Sequence, residues 1–230
     1  MLDRNSIKSN SFVQGLKSLV FPEICVMCGE NEGMICKTCH KVWNQPPIRL
    51  RFHEAITYSA VMYDSSVSSV VLKAKEDRNA FARELLARAL MRSIEQLQRA
   101  SSISEFVIVP IPSSPQAIRK RGESFMHPVL KKVKTLALEK GNNWQWKELL
   151  HHRRKVRDQA GLSSRQRIEN LQGVFQVKSS SFPYIPIILV DDVITTGSTL
   201  KNAILALNER KMTVLGAATA CASPHQLLIR

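Results

Sequence analysis

Apolar positions in this chain fall into two kinds of short segment, and the two kinds alternate. Residues 79–100 (NAFARELLARALMRSIEQLQRA) place Leu86, Leu90, Ile94 and Leu97 three or four apart, the spacing that gathers them on one face of a helix. Asp77 or Asn79 is positioned to cap its start. Helices are also expected from about Ser66 to Lys73, across 124–140 with Pro128 in the first turn, where proline is tolerated, and over LKNAILALNER (200–210). Between them lie strand-forming runs: EAITYSAVMYD (54–64), FVIVPIP (106–112), GVFQV (173–177), IPIILVDDV (185–193) and TVLGAATACAS (213–223). Strands that alternate with helices predict an α/β fold with a mainly parallel sheet and right-handed crossovers.

The clearest strand carries Asp191 and Asp192 at its end, followed by Thr195-Thr196-Gly197-Ser198-Thr199 and then a helix. Ligands of open parallel sheets sit at the carboxyl ends of the strands. A helix start there offers unsatisfied N–H groups and a favourable dipole to a phosphate, with the hydroxyls as further donors. Gly197 lets the backbone come close. The acids need a different partner, and the vicinal hydroxyls of a ribose suit them, with a divalent cation bridging nearby oxygens. A ribose 5-phosphate unit satisfies both halves of the motif. The alternative reading of Asp191-Asp192 as a helix-capping region leaves the hydroxyl-rich turn without a purpose.

Ile187 through Thr199, four apolar residues, two acids, two apolar residues and a Thr/Gly-rich turn, resembles the PRPP-binding motif of type I phosphoribosyltransferases. That resemblance implies the fold of those enzymes, with Asp191, Asp192, Thr195, Thr196, Gly197, Ser198 and Thr199 on PRPP, the two acids as catalytic groups, and Mg²⁺ on the diphosphate. A pyrophosphate also needs cations. The turn after FVIVPIP carries Arg119, Lys120 and Arg121, and Arg119 and Arg121 are the expected PRPP ligands, since guanidinium forks suit phosphate oxygens.

Charge changes the picture further. The formal net charge is +14, and residues 118–168 hold 14 Lys/Arg against 4 Asp/Glu, a net of +10. So focused an excess points to an anionic partner, nucleic acid or polyphosphate, or else to a solvated basic surface. HHRRKVRDQAGLSSRQRIENLQ (151–172) is long, basic and weakly patterned, as functional loops often are. Arg153, Arg154, Lys155 and Arg157 are the candidate contacts to single-stranded DNA. His151-His152 is expected as a solvated pair in that loop. Trp144 and Trp146 stand where a base could stack, or are buried against the fold.

Four of the five cysteines form two short pairs, Cys25-x-x-Cys28 and Cys36-x-x-Cys39, seven residues apart. In a chain without a recognisable export signal, this spacing argues for metal before disulfides. Four thiolates suit structural Zn²⁺ and leave no open position for water. A reduced structural cluster, or His40 in place of Cys39, are the other readings. Cys221 reads as a small buried residue. Asn44-Gln45-Pro46-Pro47 reads as a linker, giving a zinc-binding finger over 1–47 and a phosphoribosyltransferase-like domain over 48–230. No run of 18 apolar residues offers a membrane span, and a cytoplasmic location is expected.

In order, the cysteine pairs, LKAKED (72–77), VPIP, RGESF, the basic loop with Gln159 and Leu162, Arg167 through Asn170, GVF and the acid-pair motif resemble the ComF family of competence-associated proteins over about residues 20–223. The resemblance implies a factor of natural transformation that works with single-stranded DNA and other DNA-uptake proteins. One departure stands out. The family's RGFNQ-like segment is Arg121-Gly122-Glu123-Ser124-Phe125 here, with His127 downstream. An alternative within the same fold is an active phosphoribosyltransferase that moves phosphoribose from PRPP to an acceptor and releases pyrophosphate.

Overall fold

The structure, a computed structural model, describes residues 23–52, 55–153, 173–178 and 185–223. A strand covered on both faces reads as an unbroken apolar run, and β7 (Ile187–Ile194) is that strand, with Ile187 through Val190 fully buried. It lies inside a sheet that also contains β1 (Ile48–Phe52), β2 (Ala55–Met62), β3 (Val107–Pro110), β4 (Gln145–Trp146) and β8 (Val214–Ala222). The order is β1-β2-β8-β7-β3-β4. All neighbours are parallel except β1, which pairs antiparallel with β2. The expected mainly parallel α/β architecture is observed.

Side chains alternate across β7, so each face has its own core. Ile188 and Val190 pack with α2 (Ser65–Lys75), α3 (Ala80–Ser101) and α5 (Met126–Glu139). Ile187 and Leu189 pack with α6 (Ser198–Asn208) and a separate antiparallel pair, β5 (Leu150–His152) and β6 (Phe175–Val177). Helix α3 forms as its spacing predicts: Leu86, Leu90, Ile94 and Leu97 are all fully buried, and Asn79 caps it by accepting from the Ala82 N–H at 2.9 Å. At Gly216 the β7–β8 register skips one residue, and a Cβ there would sit 2.3 Å from the Ile56 carbonyl oxygen of β2. Only glycine lets the two strands approach this closely.

The cysteine knuckle precedes the sheet and ends in α1 (Lys37–Trp43). It is seated on α2 and α3. Lys73 Nζ donates to the Val26 carbonyl at 2.8 Å, Ser69 Oγ to that of Met27 at 3.1 Å, and Arg92 to those of Trp43 and Gln45. Val26 and Trp43 join the main core beneath.

Several elements differ from expectation. Strand β1 was not anticipated, nor was α4 (Pro115–Arg121), a short helix with no buried residue, set by Ser114 accepting from the Ala117 N–H and by Pro115 at its start. Strand β6 joins β5 instead of the main sheet. His151 and His152 are therefore half-buried strand residues, with the His152 ring against Phe175 (5.1 Å between centroids) and its Nε2 3.2 Å from the Pro112 carbonyl oxygen. Trp144 is buried against Phe106, while Trp146 meets His127.

Candidate functional site

Strand β7 does not stop at its acids. It runs on to Ile194, still paired with β8, while β3 on its other side ends at Pro110 opposite Val190. Among the described residues the strand is therefore open along one edge beyond Val190, and Asp191 and Asp192 stand at that opening. The Asp191 carboxylate is half-buried and accepts from the Asp192 N–H at 2.9 Å. The Asp192 side chain is buried and forms an ion pair with Lys75, at the last residue of α2. Burial, then the neighbouring Asp192 charge, holds the Asp191 carboxyl well above its ordinary range.

The turn after β7 behaves as its sequence predicts. Gly197 takes the left-handed conformation (φ 71°) and begins α6 without a side-chain cap. Thr196 Oγ1 and Ser198 Oγ lie 3.0 Å apart, and the Ser198 N–H reaches Thr196 Oγ1 only at 3.4 Å. The first-turn amides of an eleven-residue helix thus face outward beside exposed hydroxyls, the arrangement that receives an anion. A hollow beneath this turn is lined by Asp191, Thr195, Gly197, Thr199 and Thr219. Thr219 stands opposite Asp191 in the β8 register, and among the described residues its buried hydroxyl has no hydrogen-bond partner. Sequence reading missed it, because a threonine inside an apolar strand carries no signal until the neighbouring strand is known.

The cations gather around the acids unequally. Arg121 and Lys120 are both taken by Glu76, at 3.2 Å and 2.6 Å. Arg78 donates to the Arg121 carbonyl, and Arg83 pairs with Glu123 at 2.9 Å. The LKAKED and RKRGE segments are thus laced together at one corner of the site. Arg119 is exposed on α4. In the RGESF segment Phe125 is buried, with its ring 5.3 Å from Lys75 Nζ, and His127 is bonded to Glu148. Arg153 is exposed just past β5, its N–H donating to the Val174 carbonyl at 2.7 Å. Arg154, Lys155 and Arg157 lie outside the described residues.

The sulfur atoms of Cys25, Cys28, Cys36 and Cys39 all lie within 4.8 Å of one another, with Cys28 and Cys36 3.7 Å apart. That is far beyond a disulfide, at about 2.05 Å, and close to the roughly 3.8 Å edge that thiolates about 2.3 Å from one tetrahedral zinc would share. His40 does not substitute for Cys39, since its ring bonds to Asn44. Burial raises the Cys25 thiol, but backbone N–H donors at Cys28, Cys36 and Met27 bring it down to about 6. Burial and then contact with Cys36 push Cys39 upward. Four thiols this close cannot all ionise unaided, and a dication would let them. The donor set can hold a metal ion and fits zinc.

Comparison with known proteins settles the family. The Phosphoribosyl transferase domain family matches residues 81–228, more than half of the chain. The chain belongs to this phosphoribosyltransferase family. A curated relative, Competence protein F of Haemophilus influenzae, is 54% identical over 44 residues, 18% of this chain and 19% of the relative, so the match spans about a fifth of that protein's length. This agrees with the ComF resemblance. Similar solved structures include an adenine phosphoribosyltransferase at 15% identity, covering 66% of this chain and 75% of that chain with a TM-score of 0.39. The orotate phosphoribosyltransferase from Aeropyrum pernix is 14% identical, covering 80% of this chain and 89% of that one with a TM-score of 0.35. Among the described residues no helix is long and apolar enough to cross a membrane.

Proposed function

We propose that the chain binds PRPP, or a closely related phosphoribosyl ligand, together with Mg²⁺, and that it binds single-stranded DNA as a ComF-type factor of natural transformation. The observation that carries the first part is the pairing, at the open end of β7, of an acid pair with an uncapped helix start. In this reading the amides after Gly197 and the hydroxyls of Thr195, Thr196, Ser198 and Thr199 hold the 5′-phosphate. Asp191 and Asp192 accept from the ribose hydroxyls. Arg119 would meet the diphosphate, joined by Arg121 if the ligand draws it from Glu76, and Mg²⁺ would neutralise charge on the phosphoryl oxygens. The four-cysteine knuckle holds structural zinc.

DNA binding rests on the net +10 of residues 118–168, since neutralised phosphates are the source of nonspecific affinity. The place in DNA uptake, and contacts with other uptake proteins, rest on the ComF resemblance. Calorimetric titration with PRPP and MgCl₂ tests the ligand: saturable binding that Asp191→Ala with Asp192→Ala abolishes is the expected result. For DNA, affinity for a labelled oligonucleotide falls steeply with salt and drops in Arg153→Ala with Arg154→Ala.

A second reading, favoured by membership of the transferase family, is catalysis. An acceptor attacks C1 of PRPP, the bond from C1 to the diphosphate oxygen breaks, and pyrophosphate leaves with the electron pair. The acids would stabilise positive charge developing on the ribose, and the arginines the departing diphosphate. Pyrophosphate release in the presence of a tested acceptor, lost with the acid pair, supports it. Binding without release for every acceptor leaves the binding role alone.

A further inference from the structure

Several charged groups at the site, Lys75, Glu76 and Arg78 among them, belong to neither the acid-pair motif nor the segment matched by the family. Lys75 precedes residue 81, where that match begins, yet its ammonium is paired with the buried Asp192. Its side chain is 23% exposed and passes over the buried ring of Phe125, with Nζ 5.3 Å from the centroid. The groups facing it are Asp191 and Asp192 on β7, Arg121 on α4 and Cys221 on β8, with Glu76 beside it at the end of α2. Resting on the reading of this site as a phosphoribosyl site, we propose that Lys75 is a positioning residue which holds and aims the Asp192 carboxylate and supplies the countercharge of the acid pair, so that the pair can accept both ribose hydroxyls.

The argument is electrostatic. Two carboxylates side by side in a half-buried corner cannot both remain charged without a countercharge, because burial and mutual repulsion each favour the protonated form. A protonated carboxyl gives up an acceptor and presents an O–H instead, which opposes a hydroxyl donor. Arg121 cannot supply the missing charge, since Glu76 holds it at 3.2 Å. Lys75 supplies it at contact distance. Its place is fixed by the packing of α2, in which Val67, Val70, Val71 and Ala74 are buried, and by the Glu76 bonds one residue later to Lys120 and Arg121. A flexible surface lysine would lose side-chain entropy on pairing. This one is already confined, so the pair is held at little further entropic cost.

The test compares the full chain with Lys75→Met and Lys75→Arg, titrating PRPP with MgCl₂ calorimetrically at several pH values between about 5 and 8, the window in which a carboxyl with a raised pKa changes charge. The proposal expects Lys75→Met to weaken binding by about tenfold or more at the acid end, with the loss shrinking as pH rises and Asp191 ionises unaided. It expects Lys75→Arg to restore most of the affinity. Circular dichroism and thermal melting confirm that each variant is folded, and Lys75→Met with Asp192→Asn serves as the charge-balanced control if the single variant melts early. In that control, adding the lysine change to Asp192→Asn has little further effect on affinity. A loss that is the same at every pH and is not rescued by arginine means a packing role and overturns the proposal. So does unchanged binding in Lys75→Met, or tighter binding, which would mean that the lysine competes with the ligand for Asp192. Failure of the unsubstituted chain to bind PRPP is a separate outcome, and it removes the site reading together with this inference.

Discussion

The cysteine knuckle and the open end of β7 pose the same electrostatic problem and meet it in different ways. Each brings like acids together: four thiols within 4.8 Å in one case, two adjacent carboxylates in the other. In the knuckle no side-chain cation is among the causes that shift the Cys25, Cys28 and Cys39 thiols, so ionising all four cysteines calls for an outside countercharge such as the metal ion they could hold. At β7 it is built in, as Lys75. A unit that waits for an external ion needs only local spacing in its sequence. A unit that carries its own countercharge needs the whole fold, because Lys75 reaches Asp192 only after α2 and β7 have packed.

The sharpest way to break this contrast is to remove the metal. Structural zinc in small units is worth about 10–16 kcal/mol of apparent binding free energy, and so chelation is expected to unfold the knuckle while the sheet persists. Hydrogen exchange should show residues 23–43 losing protection after chelator treatment, with β7 and β8 unchanged. Metal analysis should give one zinc per chain, absent in Cys39→Ser. Unaltered protection in the knuckle after complete zinc removal would mean that its docking contacts suffice.

The next effect strikes the sheet. Gly216→Ala would drive a methyl to 2.3 Å from the Ile56 carbonyl oxygen, a backbone atom that cannot swing aside. Overpacking of this kind costs about 3 kcal/mol. Urea unfolding should register the loss for the sheet, and knuckle metal content should stay the same. The two regions would then fail separately, one through its ion and one through its strands.

What could be read in advance divides along the same line. The knuckle was legible because two Cys-x-x-Cys pairs state their own ligand set, and α3 because four apolar residues share a face and Asn79 precedes them. Strand β7 and its turn were legible because an apolar run, two acids and a Gly-centred turn are contiguous in the chain. Helix α4 was not, since it buries nothing and so has no apolar stripe to announce it. Strand β1 hid behind two prolines and alternating arginines. The placement of β6 beside β5, Thr219 opposite Asp191, and Lys75 against Asp192 are long-range pairings. No local pattern encodes them, and each becomes visible only once the register is known.

A smaller effect sharpens the seam between the two regions. Helix α2 touches both: Ser69 and Lys73 donate to knuckle carbonyls, and Lys75, two residues on from Lys73, pairs with Asp192. Lys73→Met removes one charge-assisted hydrogen bond, to the carbonyl of the buried Val26, worth about 1–2 kcal/mol. The expectation is a comparable drop in urea stability and faster zinc loss to a chelator. An unchanged rate of zinc loss would show that Ser69, Trp43, Val26 and Arg92 hold the knuckle without the Lys73 bond.

The smallest effect concerns the sign of one carboxyl's contribution with pH. Burial and the Asp192 charge raise Asp191 above its unfolded value, so the folded chain keeps this proton longer than the unfolded chain does. Below about pH 4 both states are protonated and nothing is lost. As pH rises from there through the raised folded value, the unfolded state ionises first and stability falls. Lys75 does not alter this sense, because burial of its ammonium is outweighed by the two aspartates and its own pKa is raised, leaving it charged throughout the window. Asp191→Asn cannot ionise, so its melting temperature relative to the unsubstituted chain should climb between about pH 4 and 8. Melting curves of the two proteins in matched buffers read the difference directly. A relative fall over that range would mean that the Asp191 charge is stabilised in the folded chain, with the attraction of Lys75 outweighing burial and the Asp192 charge.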